Sequence, residues 1–367
     1  AKLFQAFGIF VLGEQSIAWR FPSVIAGLIV IGLSYALART IKLSKRSSLI
    51  VALLVSIDGL LFVQSRIAMN DIFITMFYLF GALSYFKFVE ALSAQKKKSA
   101  PLENGVILTS KPPRFWFLMT GIAIGLAIAT KWSGVFLVGV VFLDQGYKWI
   151  RLWKLPSLIN MIRMVAVWII LPLMIYVLSY GQFWLQGHTW KQFTGLHNQI
   201  WQYQTNLDAT HPYQSTPLQW ITNTRPVWMS VEYKDGGVGN IYNLGNPILF
   251  WAGALGMIYL LLRILHRFNW TYWFILIAYG LVWIPWLFSP RILFFYHYAP
   301  AVPFLALVLG LIYDEQAKDK KVLITRVFLG VLGLAVLWFI VFYPHLTQIV
   351  MNAEFVNNYY FAIPDWK

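Results

Sequence analysis

Residues 21–38 read FPSVIAGLIVIGLSYALA, eighteen residues without a charge, and Arg39 follows at once. As an α-helix with 1.5 Å rise per residue this run is about 27 Å long, close to the roughly 30 Å of a bilayer's hydrocarbon core. Nine further apolar runs are spaced along the chain at Ser48–Gln64, Ile72–Val89, Phe115–Thr130, Gly134–Ile150, Met164–Tyr180, Pro247–Leu262, Trp270–Phe288, Ile292–Tyr313 and Val327–Tyr343. A backbone amide at that depth has no water to bond, and none of the runs alternates as a barrel strand would, so each is predicted to be a helix. Composition agrees. Of the 367 residues 59% are hydrophobic and 12% charged, against roughly 25% charged in a soluble domain. The sequence therefore predicts an all-α polytopic membrane protein with about ten transmembrane helices, kinked at Pro172, Pro285 and Pro303. Water-soluble enzymes and fibrous chains are excluded. With no cysteine in the chain, disulfides, thiolate zinc sites and cysteine nucleophiles are excluded too.

Charge orients the helices. Assigning the connections alternately to two sides divides the 29 basic residues 20 to nine. The richer side holds Arg39, Lys42, Lys45, Arg46, Lys87, Lys96, Lys97, Lys98, Lys111, Arg114, Lys148, Arg151, Lys154, Arg163, Arg263, Arg267, Lys318, Lys320, Lys321 and Arg326, and the poorer side Lys2, Arg20, Arg66, Lys131, Lys191, Arg225, Lys234, Arg291 and Lys367. The positive-inside rule makes the richer side cytoplasmic. The net charge of +15 is then mostly topogenic, and short basic loops without one contiguous patch argue against a nucleic-acid partner. The bilayer is the partner they imply. Lys96–Lys98 read as a solvated linker or a contact to anionic lipid.

The external side carries the polar chemistry. Residues 181–246 form a long connection rich in Trp, Tyr, His, Gln and Asn, too aromatic for disorder, and are expected to fold as a lid or platform between residues 1–180 and a four-helix part, residues 247–367. Five of the six histidines, His188, His197, His211, His297 and His345, lie on this side or at its membrane edge, without the spacing of a metal motif. No metal and no cofactor is expected. Ala1–Gly13 is apolar but too short to span, and an even number of spans with both ends outside points to a helix and a loop ahead of Ala1, so the chain is expected to be a piece of a longer protein.

Several ionisable residues stand where the membrane makes charge costly. Arg20 precedes Phe21-Pro22, Arg66 and Asp71 bracket a turn, Lys131 ends a span and Arg291 opens another. Guanidinium and ammonium groups placed there suit the phosphate of a lipid-linked donor. Each also has a plainer reading, snorkelling to headgroups or pairing with a nearby acid, as Arg66 with Asp71. Asp144 is expected to bond Lys148 four residues on. Asp58 is open between helix-packing hydrogen bonds and function.

Asp58-Gly59 with the run Leu60 to Phe73, which includes Ser65-Arg66 and Asp71, resembles a signature of the protein O-mannosyltransferases. Further matches follow in order: Trp19-Arg20-Phe21-Pro22, Lys131-Trp132-Ser133-Gly134, His211-Pro212-Tyr213-Gln214-Ser215 through Trp220 with Arg225-Pro226, Asn246-Pro247, and Tyr296-His297-Tyr298-Ala299-Pro300. The resemblance covers essentially the whole chain. It implies a type-C glycosyltransferase (GT-C) fold and transfer of mannose from a polyprenyl-phosphate carrier to Ser or Thr hydroxyls of proteins, with inversion. It also implies a bacterial plasma-membrane enzyme working on the outside, since there is no room for the lectin-like insertion of eukaryotic members. Arg20, Arg66, Asp71, Lys131, Trp132, His211, Tyr213, Trp220, Arg225 and Arg291 are then the expected substrate-binding residues, the cations for the departing phosphate and the aromatic faces for the sugar. The family's acidic pair, which would hold the catalytic base, is expected ahead of Ala1, so the chain as it stands is expected to be inactive. Leu218 occupies a position where the family commonly has Trp. A GT-C enzyme adding aminoarabinose to lipid A and a secondary transporter are the alternatives; the first should lack the His211–Ser215 motif and the second should show repeated halves.

Overall fold

The computed structural model describes residues 1–95, 112–153, 155–361, 363 and 366. Lys96, Lys97, Lys98, Lys111, Lys154 and Lys367 lie outside the described residues, and with them the reading of Lys96–Lys98 as a linker or lipid contact.

A short helix α1 (Lys2–Leu12) precedes α2 (Ser16–Thr40), α3 (Lys45–Ser56), α4 (Gly59–Gln64), α5 (Asn70–Gln95), α6 (Arg114–Thr130) and α7 (Val135–Leu152). Next come α8 (Leu158–Val165), a π-helical turn over Ala166–Ile170 and α9 (Leu171–Leu178). On the side expected to be external follow α10 (Gly181–Leu185), α11 (Trp190–Asn206), α12 (Pro217–Thr222) and the strands β1 (Val227–Lys234) and β2 (Gly237–Asn243). The last part holds α13 (Pro247–His266), α14 (Trp270–Trp283), α15 (Val302–Lys318), α16 (Val322–Thr347) and the strand β3 (Met351–Asn352).

Among the described residues seven helices are long and apolar enough to cross a membrane: Ser16–Thr40, Asn70–Ala94, Leu158–Leu178, Pro247–His266, Trp270–Phe288, Phe295–Lys318 and Val322–Thr347. All ten apolar runs are helical, but three fall short of that measure. The run Phe115–Thr130 gives a 17-residue helix, and Gly134–Ile150 carries Asp144 and Lys148 with Arg151 just beyond.

Ser48–Gln64, read as one span, is two helices broken at Ile57-Asp58. Asp58 caps α4 by accepting the Leu61 N–H at 2.9 Å and accepts the Asn246 N–H at 3.0 Å. Asn246 in turn donates to the carbonyls of Ile57 and Ala335. A Cβ on Gly59 would stand 2.2 Å from the Leu244 carbonyl oxygen, so the Asp-Gly pair breaks the helix where the two halves of the chain meet. Asp58 thus makes helix-packing hydrogen bonds, one of its two readings.

The three prolines sit where helix type changes. Pro172 lies just past the π turn, Pro285 within a 3₁₀ turn at Ile284–Phe288, and Pro303 where the 3₁₀ segment Phe295–Ala301 becomes α15. A missing donor and a fixed φ are tolerated there because the regular ladder is already interrupted.

The long connection is folded, and it adds a sheet to the helices. The three strands pair antiparallel in the order β1-β2-β3. Asp235 and Gly236 make the β1–β2 turn at φ 51° and 75°, the left-handed pair that a tight hairpin requires. Inside the bundle, α5 and α15 are enclosed, whereas α16 turns an apolar face outward with Leu323, Leu334 and Ile340. In a bilayer that surface meets acyl chains.

The expected Asp144–Lys148 bond is present at 2.5 Å and wholly buried. Tyr85 donates to Asp144, the Trp270 indole N–H donates to it at 2.7 Å, and Gln145 donates to the Tyr85 oxygen at 2.7 Å. The ammonium also lies 4.5 Å from the Trp270 ring centroid. α5, α7 and α14 are tied together by this cluster.

Candidate active site

Asp71 stands in the first turn of α5, where a carboxylate complements the helix dipole. Lys131 ends α6 with extended backbone (φ −159°), and the chain tightens into a 3₁₀ turn over Trp132–Gly134. A Cβ on Gly134 would lie 2.3 Å from the carbonyl carbon of Ala127; only glycine lets this turn fold back onto α6. The turn delivers Lys131 Nζ to 2.8 Å from Asp71 Oδ1, with the lysine side chain 26% and the aspartate 4% exposed. Asp71 is therefore paired with Lys131, sixty residues away, and Arg66 goes elsewhere.

These residues line a cavity of about 740 Å³ together with Lys2 and Gln5 of α1, Ile200 and Gln204 of α11, and Trp286, Ser289, Arg291, Tyr296 and His297. The Lys131 ammonium lies 5.6 Å from the Tyr296 ring centroid. Trp132 is fixed from behind. Its indole N–H donates to the Tyr176 oxygen at 2.9 Å. Tyr176 pairs with His197 Nε2 at 2.6 Å, and His197 Nδ1 lies 2.7 Å from the Phe193 carbonyl. A carbonyl only accepts, so Nδ1 carries the proton and Tyr176 donates to Nε2. By this relay α11 holds the rim of the cavity in place.

A second cavity of about 980 Å³ adjoins the first. His211, Gln214, Thr216, Leu218 and Arg225 line it, and it shares Trp286, Ser289 and Arg291 with the first. Its lining is held by hydrogen bonds: Thr216 and Gln219 form a capping box at the start of α12, Ser215 N–H donates to Leu293 O at 2.8 Å, and Arg225 Nη2 donates to Pro212 O at 2.8 Å.

Of the ten residues singled out from sequence, Asp71, Lys131, Trp132 and Arg291 meet in the first cavity, and His211, Arg225 and Arg291 in the second. Trp220 is fully buried, with its indole N–H on Ser215 Oγ at 2.8 Å. Tyr213 packs against Trp228 and His211. Both brace the walls of the site. Arg20 is exposed and Arg66 donates to Leu346 O at 3.1 Å; neither lines the two cavities. Arg66 lines a separate, mainly apolar groove with Leu28, Ile31, Phe62 and Tyr343. Burial holds its guanidinium below the usual range, Tyr343 opposes this, and Arg20 nearby adds to it. The cations therefore fall into two groups. The structure adds Gln204, Tyr296 and His297 to the expected residues, the last two from the Tyr296–Pro300 motif.

Comparison with known proteins matches residues 10–188 to the family model of dolichyl-phosphate-mannose-protein mannosyltransferase. Residues 189–358 match the C-terminal four-helix membrane region of protein-O-mannosyltransferase. A polyprenol-phosphate-mannose–protein mannosyltransferase of Mycobacterium tuberculosis is 26% identical over the whole chain and 80% of its own length. The Corynebacterium glutamicum counterpart is 25% identical with the same coverage. Among solved structures, the Saccharomyces cerevisiae Pmt1–Pmt2 complex bound to its sugar donor superposes with a TM-score of 0.74 at 14% identity, covering 91% of this chain and 78% of that one. ArnT from Cupriavidus metallidurans superposes at 0.53 and 14% identity, covering 85% and 48%.

Proposed function

Since the chain belongs to the dolichyl-phosphate-mannose-protein mannosyltransferase family and has the membrane-embedded fold of GT-C glycosyltransferases, we propose that it moves mannose from a polyprenyl-phosphate carrier to a Ser or Thr hydroxyl of a protein, with inversion, on the external face of a bacterial plasma membrane. One observation carries the assignment of substrates to sites: two cavities share the Arg291 wall. A transferase must bring two substrates to one point, and a cation belongs where the bond between sugar and phosphate breaks.

The first cavity takes the sugar phosphate. Its aromatic rings, Trp132, Trp286 and Tyr296, suit the faces of a hexose. Arg291, whose Nε donates to the neighbouring Ile292 carbonyl at 3.3 Å, supplies a planar fork for the phosphate oxygens as the glycosidic bond breaks. Lys131 adds charge from a position fixed by Asp71 and Tyr296. The second, open cavity takes the acceptor polypeptide, with backbone-bonding groups from His211, Gln214 and Thr216 beside apolar Leu218. Arg20 and Arg66 add positive potential at the same membrane edge and draw the anionic headgroup toward the site.

The test is transfer of labelled mannose from polyprenyl-phosphate-mannose to a Ser/Thr peptide by the full-length protein in liposomes, followed by alkaline β-elimination. Label released from the peptide as an O-linked sugar supports the proposal. Label that remains on lipid, or that moves to a lipid acceptor, defeats it.

A further inference from the structure

His297 neither binds phosphate nor lines the acceptor cavity, yet its ring lines the sugar cavity while only 6% exposed. Trp220 lies nearly parallel to it (5.9 Å, 9°), Tyr296 likewise (4.9 Å, 20°), and Trp286 meets it edge to face at 4.7 Å. Three aromatic contacts leave the imidazole little freedom to turn. Nδ1 lies 2.8 Å from the Phe294 carbonyl oxygen; because that oxygen only accepts, Nδ1 carries the proton and Nε2 of the neutral ring is a lone pair. Among the described residues no protein group bonds to Nε2, and the ring stands in the cavity wall, so this acceptor is free for a ligand there.

The chemistry of such a group selects its ligand. A lone pair repels phosphate oxygens, and an acyl or prenyl chain would leave it desolvated and unbonded. A hydroxyl satisfies it. The remaining polar groups on the wall are the cations Lys2, Lys131 and Arg291, the Lys131-bound Asp71, the ring-packed Tyr296 hydroxyl, the indole N–H groups of Trp132 and Trp286, and hydroxyl or amide groups on flexible side chains. His297 is a neutral acceptor held by ring packing whose one N–H is already spent on the Phe294 carbonyl.

We propose that His297 Nε2 accepts a hydrogen bond from one hydroxyl of the donor's sugar ring and thereby sets which sugar is transferred. This rests on the reading that the first cavity holds the lipid-linked sugar. A buried acceptor built for one hydroxyl discriminates strongly against a sugar that lacks it or points it elsewhere, because the acceptor is then left unpaired.

The experiment uses full-length enzyme, polyprenyl-phosphate-mannose and its monodeoxy analogues, with His297→Phe, which keeps a ring to stack, and His297→Gln, which restores an acceptor. His297→Phe should lower kcat/KM for the mannosyl donor by about tenfold or more, with His297→Gln recovering part. One monodeoxy donor should be poor with wild type and lose nothing further in His297→Phe, the non-additivity of a shared bond. Equal further loss on every donor, or no loss on the parent, overturns the proposal. Should both variants fail to fold, the wild-type profile still decides, since uniform losses across the analogues overturn it and one dominant loss supports it. A wild-type enzyme that transfers no mannose at all would instead sink the reading of the cavity.

Discussion

Two Asp–Lys pairs use the same chemistry for opposite purposes. Asp144–Lys148 is formed by neighbours on one helix, is at most 1% exposed, and has its oxygens filled by Tyr85 and Trp270. Asp71–Lys131 joins two helices across sixty residues, and its lysine faces a cavity. A pair sealed among its own donors has nothing left to offer a ligand and holds helices together. A pair with one open side keeps a charge in position and leaves room for an anion to approach it.

The largest effect belongs to the sealed pair. Asp144→Ala strands the Lys148 ammonium in an apolar bundle and should cost about 3–5 kcal/mol, read as a fall in the thermal midpoint in detergent or as loss of membrane-integrated protein. The double change Asp144→Leu with Lys148→Met should restore most of that loss, because replacing both partners by apolar groups removes the stranded charge. If Asp144→Ala melts like wild type, the contrast between the pairs fails.

Lys131→Met should show the reverse pattern. Transfer is expected to fall about a hundredfold, the scale of one lost group stabilising a developing charge, while stability drops by about 1 kcal/mol, since the pair is partly solvated. A large fall in melting with ordinary kinetics among surviving molecules would place this pair with the buried one. Arg291→Lys keeps the charge and loses the fork; kcat/KM for the lipid donor should fall about tenfold, or about 1.4 kcal/mol. Unchanged donor kinetics would remove Arg291 from the phosphate.

The exposed pair Lys42–Glu90, with side chains 63% and 35% exposed, extends the series to its weak end. Glu90→Gln should change stability by no more than about 0.5 kcal/mol and leave transfer untouched. Orientation has its own check on this cysteine-free chain. A Cys at Gln204 should react with an impermeant maleimide on intact cells, and one at Lys320 only after permeabilisation; the opposite result inverts the assignment.

Local pairings were legible in the sequence and distant ones were not. Asp144 and Lys148 stand four apart on a helix, so their bond follows from helical geometry alone. Arg66 and Asp71 are only five apart in sequence, yet Asp71 bonds Lys131, because the 3₁₀ turn at Trp132–Gly134 carries that lysine across from another helix. Asp235-Gly236 is a hairpin signal in the sequence, but the strands on either side of it lie within the long connection of residues 181–246, which has no apolar run to announce them. Asp58 looks like a charge in the middle of a span until Leu244 and Asn246 arrive from the far half of the chain and show that the helix ends there.

The sequence by itself determined the membrane setting, the helical content and the ordered motifs of the family, since these rest on composition, on run length against bilayer thickness and on residues adjacent in the chain. The tertiary structure alone decided that Arg291 belongs to two cavities, that Arg20 and Arg66 stand outside both, that Trp220 is buried against His297, and that three aromatic rings hold the His297 imidazole in the cavity wall. Each of those depends on which helices lie side by side, and a one-dimensional pattern fixes the face a helix buries without fixing the neighbour it buries it against.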